Sequence, residues 1–206
     1  MTSVTGLGGR TVGVLGGTFD PPHIGHLRAA VAVRHALALD RVLLVPNGDP
    51  WQKRGVRPIT PAPLRLEMVR AAQAVLASGS GVEVSDREVR RDGPSFTIDT
   101  VVALQEADPD LEVTLILGRD AAALLPTWER HDDLLRRAHL AVVDRPGSAP
   151  GPPLHLEGAR LQEVAIEQLD VSSSAIRDLV DQGDPIDVLV APGVAAVIDR
   201  EGLYRA

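Results

Sequence analysis

A chain of 206 residues with a net charge of −7 and a pI of about 5.3 is long enough for one domain with a sizeable core, and too acidic for a broad nucleic-acid footprint. It has no cysteine, which argues against a disulfide framework, and the N-terminal "MTSVTGLGGR" lacks the apolar core of a signal peptide. No apolar run reaches the roughly 18–20 residues that cross a bilayer, so the expectation is a cytoplasmic protein with no membrane partner.

Apolar runs of strand length alternate with segments of helical period, the pattern of βαβ units and a parallel sheet. Strands are predicted near 11–15, 41–46, 82–86, 113–118, 140–145 and 161–166. Helices are predicted near 24–39, 62–77, 97–107, 119–137, 173–182 and 187–200. The fold expected is α/β, doubly wound, with a mainly parallel Rossmann-like sheet. It would form a single domain, with a core over about 11–185 and a small C-terminal helical part over about 186–206. The Pro/Gly-rich segment "RPGSAPGPPLHLEGAR" reads as a surface connection, because too little chain follows it for a second core.

Two features of composition single out residues. Of 21 basic residues 20 are arginine, and the only lysine is Lys53. Aromatics make up 2% of the chain, and four of the five, Phe19, Trp51, Phe96 and Trp128, fall in segments that read as loops or element ends.

The segment Gly16–His26, "GGTFDPPHIGH", follows the first strand directly. Ligands of parallel sheets bind beyond the carboxyl ends of the strands, where the first βα turn aims backbone N–H groups and a helix N-terminus at an anion. Gly16 and Gly17 let backbone approach such an anion, and a proline suits the helix entry. His23 and His26, three apart, share one face of the first helical turn. The same residues could merely cap a helix or cover a surface, and a histidine pair could hold a metal, although no third ligand has zinc-like spacing. Further along, "VSSSAIRDL" (171–179) places Ser172 and Ser173 at a helix start and Arg177 one turn in, which suits either an anion or a solvated, serine-capped helix.

"GGTFDPPHIGH" resembles the signature of the H-x-G-H nucleotidyltransferase superfamily, matched by His23, Gly25 and His26. Its "GGTFDP" opening is similar to that of the bacterial nicotinate mononucleotide adenylyltransferases. "VSSSAIR" resembles the superfamily's second motif, with Val171 and Ser174 as departures. The resemblance implies ATP binding by Gly16, Gly17, Thr18, Phe19, His23, Gly25, His26, Ser172, Ser173 and Arg177, with His23, His26 and Arg177 as the catalytic group. "NGDPWQKRG" (47–55) looks like the family's loop to the mononucleotide, where Lys53 would meet phosphate. "GPSFTIDT" (93–100) resembles the segment whose backbone N–H groups near Thr97 meet the nicotinate carboxylate, although Ser95 and Thr97 would also serve as plain helix caps. "LGRDAAALLPTWERHDDLL" (117–135) is similar to a Gly-Ala-Asp stretch with a later aromatic. Gly118, Asp120 and Trp128 match, Arg119 replaces a small residue, and Trp128 would stack on the pyridine ring. The ending "APGVAAVIDREGLYR" resembles the family's C-terminal helix, with a structural role only.

The resemblance therefore implies adenylyl transfer from ATP to nicotinate mononucleotide, giving deamido-NAD and pyrophosphate, with Mg²⁺ bound mainly through the ATP phosphates and no dedicated metal cage. The alternatives are another adenylyltransferase of the superfamily, acting on phosphopantetheine or nicotinamide mononucleotide, or a nucleotide-binding module without catalysis. The sequence leaves open the choice between acid and amide mononucleotide, and whether the chain forms a homo-oligomer.

Overall fold

The computed structural model describes residues 10–51, 55, 57–144, 154, 156, 158–166 and 169–205. Six strands form one parallel sheet: β1 (Thr11–Gly17), β2 (Arg41–Pro46), β3 (Val82–Val84), β4 (Glu112–Gly118), β5 (Ala138–Asp144) and β6 (Leu161–Ala165). The helices are α1 (Ile24–Ala36), α2 (Ala62–Gln73), α3 (Arg87–Arg90), α4 (Thr97–Ala107), α5 (Arg119–Ala123), α6 (His131–Arg137), α7 (Ser173–Gln182) and α8 (Pro192–Glu201).

The strand order is β3-β2-β1-β4-β5-β6. The chain winds outward from β1 through β2 to β3, then crosses to β4 and winds outward the other way. The winding reverses between β1 and β4, paired in parallel from Thr11↔Glu112 to Val14↔Leu115. In open α/β sheets that reversal opens a crevice at the carboxyl ends of the two strands.

The central strands are apolar on both faces because both faces are covered, and successive residues alternate between them. Val12, Val14, Leu43, Val45, Val113, Leu115 and Leu117 join a core with α4, α5 and α6. Leu15, Val42, Leu44 and Ile116 belong to a second core with α1, α2, α7 and α8. Gly13 is required between them. A Cβ there would lie 2.8 Å from Val42 Cγ2 and 2.9 Å from Ile116 Cδ1.

α1, α2 and β3 end two to four residues earlier than expected, and three elements differ more from the sequence pattern. The helix expected over 119–137 is broken into α5, a short 3₁₀ turn at Leu125–Thr127 and α6. Pro126 accounts for the break, since a proline inside a helix removes an N–H and clashes with the carbonyl four residues back. Arg130, at φ 51°, then restarts the chain as the N-cap of α6. The last helix begins at Pro192 rather than 187, with Pro192 in its first turn. The short helix α3 has no counterpart in the sequence reading. No described helix is long and apolar enough to cross a membrane.

Candidate active site

A cleft of about 500 Å³ opens at the reversal point, with Gly16 and Gly17 on one side and Leu117 and Gly118 on the other. Open space lies beyond the Cα of both Gly16 and Gly118, where a Cβ would meet nothing within 4 Å. The ends of β1 and β4 thus present bare backbone to the cleft, which a planar or anionic ligand can approach closely.

His23 is the N-cap of α1, and its backbone N–H donates to His26 Nδ1 at 3.1 Å. An Nδ1 that accepts carries no proton, so His26 offers its other nitrogen, Nε2, as the donor. The two imidazoles face each other with centroids 3.7 Å apart, and the Phe19 ring meets His26 edge-on at 4.9 Å. Burial pushes the His23 imidazole down to about 4, so it is neutral near pH 7. Gly25 makes this packing possible, since a Cβ there would lie 3.0 Å from His23 Nδ1 and 3.1 Å from Val171 Cγ1.

Beside the cleft lies a second, polar pocket of about 450 Å³, bounded by Thr18, Phe19, Asp20, Arg57, Ser173, Ser174 and Arg177. His26 lines both spaces and stands at their junction, with Gly17, Thr18 and Ser173. Arg177 donates to the Asp20 carbonyl at 2.8 Å and to Ser174 Oγ at 3.1 Å. Ser173 Oγ donates to the Pro21 carbonyl at 2.8 Å, and Ser172 Oγ caps α7 by accepting from the Ala175 N–H at 3.1 Å. The start of α7 is therefore tied directly to the loop after β1.

Asp20 is the anchor of that loop. Its carboxylate is 1% exposed, pairs with Arg57 at 2.7 Å and accepts from Tyr204 Oη at 2.6 Å. Burial alone would raise this carboxyl, but hydrogen bonds from Tyr204, Thr60 and Arg57, with the charge of Arg57, outweigh it and hold Asp20 below the usual carboxylate range.

The far end of the cleft is aromatic. Trp51, Phe96 and Trp128 line it with Thr97, the first residue of α4, and Trp51 and Phe96 lie with centroids 6.0 Å apart. Trp128 follows the break at Pro126, so its indole reaches the cleft from a loop, and its buried Nε1 has no hydrogen-bond partner among the described residues. Neither Ser95 nor Thr97 caps α4, whose N-cap is Phe96. Ser95 Oγ instead accepts from the N–H groups of Gly48 at 2.9 Å and Asp49 at 3.2 Å, clamping the loop after β2. Buried Glu88 holds the same loop by accepting from Asn47 Nδ2 at 3.0 Å and from Thr100 Oγ1 at 2.7 Å. Gly48 fits there only without a side chain, because a Cβ would lie 2.2 Å from the Glu88 carbonyl oxygen.

Not every expected residue converges. Asp120 is exposed on α5 and is absent from the cleft wall, whereas Gly118 and Ala121 line it. Arg119 turns to Glu163 of β6 and pairs with it at 2.8 Å. Lys53 lies outside the described residues. Among the described residues no group of three or more His, Asp or Glu side chains could hold a metal ion. The sequence reading left Asp20, Arg57, Ser95, Glu88 and Tyr204 without site roles. Asp20, Ser95 and Tyr204 lie inside the motif-like segments "GGTFDPPHIGH", "GPSFTIDT" and "APGVAAVIDREGLYR", whereas Arg57 and Glu88 lie in none.

Residues 14–179 match the model of the cytidylyltransferase-like family. A protein of Pseudomonas fluorescens named "Probable nicotinate-nucleotide adenylyltransferase" is 38% identical over 216 residues, covering 96% of this chain and 99% of the relative. The chain belongs to the nicotinate-nucleotide adenylyltransferase family. A second member with the same printed name, from Leifsonia xyli, is 41% identical over 198 residues and covers 95% of this chain and 94% of its own. The Plasmodium falciparum nicotinic acid mononucleotide adenylyltransferase, solved with NaAD, superposes with a TM-score of 0.79 at 18% identity, over 95% of this chain and 97% of that one. At that identity the likeness is one of fold.

Proposed function

We propose that the chain is a single nucleotidyltransferase domain acting in the cytoplasm, which transfers the adenylyl group of ATP to nicotinate mononucleotide. One observation carries the reading: His26 stands where an aromatic-ended cleft at the sheet's reversal point meets an arginine-lined pocket. A reaction whose transferred phosphoryl group lies between a flat heterocyclic substrate and a polyanionic leaving group needs that division of space.

In this reading a 5′-phosphate oxygen of the mononucleotide attacks the α-phosphorus of ATP in line. A new P–O bond forms, the bond to the β-phosphate breaks, and its electron pair leaves with pyrophosphate. The nucleophile is already an anion, so no side chain must take a proton from it. Positioning and charge neutralisation carry the rate.

The backbone of Gly16, Gly17, Thr18 and Phe19 lines the phosphate path, and His26 Nε2–H donates to the α-phosphate. Neutral His23 packs behind His26 and supports its orientation. Ser172, Ser173 and Arg177 receive the β- and γ-phosphates at the start of α7, where N–H groups and dipole favour anions. Gly25 keeps the histidine pair close to Val171. On the mononucleotide side Gly118 leaves room, Trp128 stacks on the pyridine ring, and Lys53 remains a family-implied contact, whereas Asp120 stands outside the cleft wall. The N–H groups at the start of α4, by Thr97, suit the nicotinate carboxylate and favour the acid over the amide.

The carboxylate that lines the polar pocket, Asp20, is engaged by Arg57 and Tyr204. Mg²⁺ accordingly enters as part of the Mg·ATP substrate, held by phosphate oxygens and water.

The deciding experiment offers ATP with nicotinate mononucleotide, nicotinamide mononucleotide or phosphopantetheine in parallel and measures pyrophosphate release. The expected result is rapid release with nicotinate mononucleotide and a product with the mass of deamido-NAD. Preference for phosphopantetheine, or no release with any acceptor, would overturn the reading.

A further inference from the structure

Arg65 is 1% exposed, among the largest fully buried side chains of the protein, and lies in α2 outside both pockets. A buried guanidinium is costly unless its donors are matched. Here three of them are, by carbonyls from three separate places. Nε donates to Thr60 O at 2.8 Å, one terminal nitrogen to Thr18 O at 2.8 Å and the other to Gly48 O at 3.1 Å. Thr18 belongs to the loop after β1, Gly48 to the loop after β2, and Thr60 to the entry of α2. Asp20, the acid whose charge favours the guanidinium, already carries Arg57 and Tyr204.

A leucine or methionine would fill this space without the desolvation cost. The planar fork instead does something an apolar side chain cannot, which is to fix the relative placement of two loops.

The peptide geometry tells what this placement controls. A trans peptide is planar, with C=O and N–H pointing opposite ways. Holding Thr18 C=O toward Arg65 of α2 therefore directs the Phe19 N–H away from Arg65, in a residue that lines the polar pocket. Phe19 itself sits at φ 48°, a left-handed conformation that a non-glycine residue keeps only when its surroundings enforce it. Gly48 C=O is held in the same way, while its own N–H and that of Asp49 are held by Ser95.

We propose that Arg65 is a positioning residue for the transfer step. Its guanidinium sets the separation and the peptide orientation of the ATP-side and mononucleotide-side loops, without touching either substrate. This inference rests on the two-substrate reading above and deepens it.

The test compares the wild-type protein with Arg65→Lys, which keeps charge but loses the fork, and Arg65→Met, which keeps volume. Each is examined by thermal melting, by kcat and KM, and by equilibrium binding of a non-hydrolysable ATP analogue, nicotinate mononucleotide and deamido-NAD. The expected result is a cooperative melt for Arg65→Lys, affinity for each separate substrate within about threefold, and losses of about tenfold or more in kcat and deamido-NAD affinity. The dinucleotide spans both loops and reads their relative placement, whereas each separate substrate is held chiefly by one loop.

Unchanged kcat and dinucleotide affinity would overturn the assignment. So would equal losses for all three ligands in step with a lower Tm, or unfolding of both variants, because either outcome is that of a plain structural residue. Failure of the wild-type protein to make deamido-NAD would instead overturn the functional reading, which keeps the two outcomes apart.

Discussion

Tyr204 donates its hydroxyl to the buried carboxylate of Asp20 at 2.6 Å, across 184 positions of sequence. The last turn of the fold therefore holds the loop that follows the first strand. Through the Asp20 carbonyl the same loop aims Arg177, so a residue outside the cleft wall helps set the position of a pocket arginine. Tyr204→Phe removes one hydrogen bond to a charged acceptor and should destabilise the protein by about 1.5–3 kcal/mol. It should also raise the KM for ATP more than that for the mononucleotide, as steady-state kinetics and a thermal melt would establish. Equal KM values for wild type and variant would detach Tyr204 from the phosphate side.

His26 offers a cleaner separation of structure from chemistry. Its Nδ1 accepts the His23 N–H, a task an asparagine oxygen can take over, while asparagine cannot reproduce the Nε2 donor at the junction. His26→Asn should melt close to the wild-type protein and lose about 10²–10³-fold in kcat, the range seen when one donor to a developing negative charge is removed. A kcat within a few-fold of wild type would remove His26 from the transfer step.

The depressed His23 imidazole predicts a direction for acid sensitivity. The unfolded imidazole takes up its proton near 6.5, but the folded one only near 4. Between those values the unfolded state binds more protons, so the contribution of His23 is complete above about 6.5 and is lost progressively as pH falls toward 4. Melting temperature measured from pH 7.5 to 4.5 should fall across this window, and His23→Asn should flatten the slope. An equal slope in both proteins would assign the acid sensitivity elsewhere.

Trp128 should divide the two substrates the other way. Trp128→Ala should raise the KM for nicotinate mononucleotide by about tenfold, the scale of one aromatic stacking contact, and leave the KM for ATP near its wild-type value. Trp128→Phe should recover most of the loss. Rescue by phenylalanine separates stacking from the indole N–H, which has no partner among the described residues.

The layered α/β architecture was legible from the residues alone, because doubly buried strands must be continuous apolar runs and the helices between them must be amphipathic. The two segments around the polar pocket were legible as well, since Gly16 to His26 and Ser172 to Arg177 each lie within a few residues of a strand end or helix start, where local chemistry decides conformation. One further boundary is legible in the residues themselves: Pro126 breaks the helical run after α5, ahead of Trp128 in the cleft wall.

What holds those segments in register emerges in the folded chain. In a chain with 20 arginines, nothing local distinguishes the buried Arg65 or the Asp20-bound Arg57 from solvated ones. Nor does any pattern in the chain show that Tyr204 meets Asp20, that Ser95 turns from its own helix to the loop after β2, or that Arg119 joins Glu163 while Asp120 faces outward. Strand and helix periods record which face of each element is buried. The pairing of one polar group with another across 44 to 184 residues is settled by how the winding reverses at β1 and β4, and by the requirement that each polar group drawn inside find a partner there.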